Sequence, residues 1–206
     1  MIGEHGCPQI RRQETVFFTI NPTPPVNSLE ELHKLTALFP EAESLFLQAE
    51  AVPTEKVPEP YKRMLAHDHH MTVTMEEYHQ TLVDVEVLAK RTDGGFYSRK
   101  ILFKKTGTDD RVQFGIVRLR LDTLAPDVRD EILSERIPLG RALIQHNVMR
   151  HIELGTVVRF VAGPALARQL KMEVGQTTYG RLATIFCDQR PAIDLLEISS
   201  PITQNS

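Results

Sequence analysis

Between residues 82 and 120 the chain has no room for a helix. "LVDVEVLAKR", "FYSRKILFKK" and "VQFGIVRLRL" follow one another, separated only by short runs built on Asp93-Gly94-Gly95 and "TGTDD". In the first run Leu82, Asp84, Glu86 and Leu88 alternate with Val83, Val85, Val87 and Ala89, the period-two signature of a strand. Connections this short join antiparallel neighbours, because a parallel crossover needs a dozen residues or more. This stretch therefore commits the chain to an antiparallel sheet.

The rest is arranged around that meander. "VMRHIELGTVVRFVAG" reads as one or two further strands, and "TTYGRLATIFCD" and "RPAIDLLEISSP" as two more joined across Asp188-Gln189-Arg190. Helices are predicted for "YKRMLAHD", "MTVTMEEYHQ", "APDVRDEILSE", "PLGRALIQHN" and "PALARQLK", three of them with proline at or near the first turn. Upstream, Ser28 and Glu31 form a capping-box pattern before the leucine stripe 29, 32, 35 and 38, and "EAESLFLQAEAV" reads as a second short helix. The first twenty or so residues read as an extended arm. The expected fold is α+β: one six-stranded antiparallel sheet with helices on one face. Residues 1–55 form an N-terminal extension with short helices, and 56–206 the main domain, packed as one unit.

Composition removes several functional classes. With 41% hydrophobic and 25% charged residues over 206 positions, the chain can bury a core without staples. A net charge of −3 and the lack of a basic stripe argue against a nucleic-acid partner, and the N-terminal extension lacks the composition of a winged helix. No run approaches 18 apolar residues, so no membrane span is expected. Cys7 and Cys187 stand at opposite ends, the usage of a reducing compartment, and a cytoplasmic location is expected.

Three groups of residues could carry chemistry. His67, Asp68, His69, His70 and His79 crowd one segment, but the spacing of a zinc site is missing, so no metal is expected. Arg141 and Arg181 are cations at a helix entry and in a strand. Strand alternation places Arg99 on a face with Tyr97, Ile101 and Phe103, and Glu197 on a face with Ile193 and Leu195. Buried charges need partners. Arg99 and Glu197 could pair with each other or with other protein groups, or a small anion could complete the pocket, for which the forked guanidinium is suited.

The blocks "DHHMT", "YSRKILF", "PLGRALI", "TYGRLATI" and "LLEIS", in that order across residues 60–200, resemble the chorismate lyase (chorismate–pyruvate lyase) superfamily, in its divergent branch. The resemblance implies a six-stranded sheet with helical flaps over a buried pocket. It further implies cofactor-free conversion of chorismate to 4-hydroxybenzoate and pyruvate, a carbon–oxygen lyase step feeding quinone biosynthesis. Carried over by position, Arg99 and the backbone amides of Met71 and Leu139 hold the ring carboxylate. Glu197 faces the ether oxygen and assists its departure, and Arg181 is a candidate for the second carboxylate, with Arg141 a weaker one. The competing expectation is a non-catalytic domain of the same fold that binds an aromatic acid or senses an effector.

Overall fold

The computed structural model describes residues 28–202; the arm expected upstream lies outside them. Seven strands form one antiparallel sheet: β1 (Phe46–Val52), β2 (Val83–Asp93), β3 (Phe96–Lys105), β4 (Arg111–Arg120), β5 (Arg150–Ala162), β6 (Thr177–Cys187) and β7 (Arg190–Ser199). Their order across the sheet is β1-β5-β6-β7-β4-β3-β2. The α-helices among the described residues are α1 (Ser28–Thr36), α2 (Tyr61–Leu65), α3 (Met71–His79), α4 (Pro126–Leu133), α5 (Leu139–Gln145) and α6 (Pro164–Leu170).

The α+β class and the antiparallel sheet agree with the sequence reading, and the strand number is corrected from six to seven. The additional strand is β1, expected as a helix. Its "FLQAEAV" pairs along β5, from Phe46 opposite Ala162 to Val52 opposite Val157. A seven-residue segment gains a full ladder of backbone hydrogen bonds on an open sheet edge, and that tertiary gain overrides a local helical preference.

The helices also occupy both faces of the sheet rather than one. On one face Leu32 and Leu35 of α1 and Leu166 and Leu170 of α6 pack with Phe114, Ile116, Phe160, Leu182, Leu196 and Ile198. On the other, Tyr61, Met64 and Leu65 of α2 and Met71 and Met75 of α3 cover Ile101, Phe103 and Val157. Beside them Val128 and Ile132 of α4 and Leu139, Ala142 and Leu143 of α5 cover Val117, Ile185 and Leu195. Single-sequence alternation shows that a strand has two faces; in β3, β4, β6 and β7 both prove to be buried.

Register places the polar residues. Val157, Arg181, Glu197, Gly115 and Ile101 lie opposite one another across β5, β6, β7, β4 and β3. Arg99 stands two residues along β3, opposite Val117. Gly180 is opposite Ile198, and a Cβ there would run into the Glu197 carbonyl oxygen and come within 2.9 Å of the Ile198 Cα, both parts of a backbone that cannot turn away. Gly180→Ala is therefore expected to destabilise the protein by about 1–3 kcal/mol through overpacking. Denaturant unfolding at unchanged slope measures this, and an unchanged midpoint would show that β6 and β7 can part without loss.

Candidate functional site

Arg181 and Glu197 are direct cross-strand partners, and their side chains meet on the α2–α5 face. The Arg181 Nε donates to Glu197 Oε2 at 2.7 Å, with both side chains almost wholly buried. The other nitrogens of Arg181 reach upward. One donates to the carbonyl of His67 at 2.9 Å and to its ring Nδ1 at 3.2 Å, and the other to the carbonyl of His69 at 3.0 Å. A single strand residue thus ties the α2–α3 connection to the sheet.

Arg99 differs. It is 0% exposed, yet none of its three guanidinium nitrogens has a hydrogen-bond partner. Burial pushes its pKa down, while Tyr97 and, further off, Glu135 act to keep it charged. The Tyr97 hydroxyl donates to Glu135 at 2.7 Å, as does Lys90 at 2.8 Å, and the Tyr97 oxygen faces Arg99 outside ordinary hydrogen-bond geometry. Arg99 and Glu197 do not pair, and topology explains it. β4 runs between β3 and β7, so their backbones stand two strand spacings, about 10 Å, apart.

Arg99, Arg181 and Glu197 line one cavity, with His70, Met71 and Thr72 at the start of α3 and Leu139 and Gly140 at the start of α5. The remaining wall is aliphatic and aromatic, from Ile101, Phe103, Val117, Ile152, Ile185 and Leu195. The structure brings together Arg99, Glu197, Met71, Leu139 and Arg181 of the residues singled out for a ligand, and leaves out Arg141. Met71 opens α3, where the first amides have no acceptor within the helix, and its N-cap residue His70 supplies no side-chain cap. The cavity volume is about 30 Å³, enough for a water or two.

Within the cavity Arg181 donates to Glu197 and to the His67 and His69 carbonyls, and Glu197 accepts from Arg181. Arg141 is paired with Glu76 of α3, bracing α5 against α3 outside the cavity.

The histidines divide by environment. His67 Nε2 lies 2.7 Å from the Met64 carbonyl and its Nδ1 accepts from Arg181 and from the His69 amide, so both ring nitrogens are committed. His69 sits at the surface beside Asp68. His70 accepts from Arg150 Nε at 2.6 Å, a contact that sequence reading missed because Arg150 is 80 residues away. Among the described residues no group of three or more His, Cys, Asp or Glu could hold a metal ion. No helix among them is long and apolar enough to cross a membrane. Cys187 is a free, buried thiol whose pKa burial raises to about 11.

No protein-family model matches the chain, and no curated protein matches it. Solved structures similar to it include the effector domain of PhnF from Mycobacterium smegmatis, at 10% identity and a TM-score of 0.49, covering 64% of this chain and 88% of that one. Another is the C-terminal domain of the histidine utilization repressor from Pseudomonas syringae, at 10% identity and TM-score 0.43, covering 60% and 97%. A third is a domain assigned as the ligand-binding domain of a GntR-family transcriptional regulator from Bordetella bronchiseptica, at 12% identity and TM-score 0.43, covering 59% and 86%. The likeness is partial and concerns fold. The three structures named are an effector domain, a repressor domain and a regulator's ligand-binding domain, a finding that contradicts the expectation of a carbon–oxygen lyase.

The two cavity-side histidines generate a pH dependence. Burial, then Arg181, lowers the His67 pKa to about 4; burial, then Arg150 and Arg181, does the same for His70. Both stay neutral in the folded protein while an unfolded chain takes up protons from about pH 6.5 downward. The folded state binds fewer protons in that window, so stability should be full above pH 6.5 and fall progressively toward pH 4. Chemical denaturation across this range checks it, and a flat profile would mean that the two rings titrate as if exposed.

Proposed function

We propose that the chain is a non-catalytic binding module that holds a small organic acid, an aromatic acid in the first instance, by its carboxylate at Arg99. The observation that carries this reading is the fully buried guanidinium without a hydrogen-bond partner on the wall of a mostly apolar cavity. An unpaired buried cation is costly, and an anion arriving between Arg99 and the free amides of α3 would remove that cost. A carboxylate matches the guanidinium fork. Met71 would contribute its amide, as would Leu139 from the start of α5. Glu197 would act by orienting Arg181 and not by proton transfer.

At about 30 Å³ the cavity is far smaller than the several hundred cubic ångströms of a usual ligand pocket, so entry of a ring requires α3 and α5 to part. Binding would thereby be coupled to a movement of these helices, which is what an effector-sensing role needs.

The two arginines should respond oppositely to the same substitution. Arg99→Met removes an uncompensated charge and is expected to stabilise the ligand-free protein by about 1–4 kcal/mol. Arg181→Met strands Glu197 and two carbonyls, and is expected to destabilise it by about 3–5 kcal/mol. In parallel, 4-hydroxybenzoate at a hundred times its Kd should add about 2.7 kcal/mol to the wild type, and nothing to Arg99→Met. Chorismate should yield no pyruvate. Calorimetric binding that survives in Arg99→Met, or no binding to wild type, would remove the proposal.

A further inference from the structure

We infer that the ligand of this cavity is a monoanion, a monocarboxylate with an apolar body, and that acids with two carboxylates are excluded. The inference rests on the carboxylate-binding reading and narrows it by counting charge. Two cations line the cavity, Arg99 and Arg181, and one anion, Glu197. Arg181 is neutralised by Glu197 at 2.7 Å, and three of its four remaining N–H groups go to the His67 and His69 carbonyls and the His67 ring. His70 stays neutral near pH 7, since its burial and the neighbouring cations disfavour its protonation. That leaves a single uncompensated positive charge, on Arg99.

Just behind the wall, Glu135 is held by Tyr97 and Lys90, and Glu76 by Arg141. Arg150 carries a charge that no salt bridge neutralises among the described residues, but it is not part of the lining, and its guanidinium is turned to the His70 ring and the Val148 carbonyl. The other side chains facing the cavity are Thr72 and apolar residues. A second carboxylate on the ligand would therefore be buried without a cationic partner and close to the Glu197 carboxylate, both strongly unfavourable.

The test compares three acids of nearly equal shape by calorimetry on the full chain at pH 7: benzoate, 4-methylbenzoate and terephthalate. The methyl group of 4-methylbenzoate occupies the space of the second carboxylate without its charge. Benzoate and 4-methylbenzoate are expected to bind within about tenfold of each other, and terephthalate at least about a hundredfold more weakly, as a burial cost of a few kcal/mol requires. Terephthalate binding as tightly as 4-methylbenzoate would overturn the charge count while leaving the carboxylate site standing. Binding of none of the three would overturn the site itself, and the inference with it. Glu197→Gln supplies an independent arm, because it frees the charge of Arg181. The preference for 4-methylbenzoate over terephthalate should then shrink by at least about tenfold, and an unchanged preference would count against the inference.

Discussion

The α2–α5 half of the molecule hangs on the buried pair of Arg181 and Glu197. As neighbours across β6 and β7 they could have been a simple ion pair, which in a protein interior contributes little net stability. Here the guanidinium is shared, with one edge facing Glu197 and the remainder holding the His67 and His69 carbonyls. The segment from 66 to 70 has no ladder of its own, and its backbone acceptors would otherwise need water. Glu197 sets the angle of Arg181, Arg181 sets the position of the loop, and the loop sets where α3 begins. The cavity exists at its present place and size because of that chain of contacts. Arg141 with Glu76, and Arg150 with His70, then lock α3 to α5 and to the start of β5.

Much of this was legible in the sequence where the signal was local. The alternation from 82 to 120 specified the meander, and the faces carrying Arg99 and Glu197 followed from counting by twos along "YSRKILF" and "LLEIS". What counting cannot give is which strands become neighbours. β4 and β7 pair although some seventy residues of chain separate them, and only that pairing shows that Arg99 and Glu197 stand on strands that do not touch. The partner of Glu197 was hidden for the same reason: Arg181 could be placed on a face, but its match with Glu197 depends on the β6–β7 register. β1 failed differently, because "FLQAEAV" owes its strand conformation to β5, more than a hundred residues on. The resemblance to chorismate lyases singled out residues that line one cavity, while the contact between Arg181 and Glu197 could not be read from it. Residue types at matching positions say nothing about which hydrogen bonds each will make.

The order β1-β5-β6-β7-β4-β3-β2 consists of two three-stranded meanders, β2-β3-β4 and β5-β6-β7, with β1 added at one edge. Within each meander the strands are joined in sequence, while the β4–β7 junction closes a long loop. Arg99 belongs to the first meander, and Arg181 and Glu197 to the second. Neither meander alone could offer a ligand more than half of its surroundings. The cavity is a property of the seam, and any state in which the two halves have separated has lost the site, however much of its secondary structure it keeps.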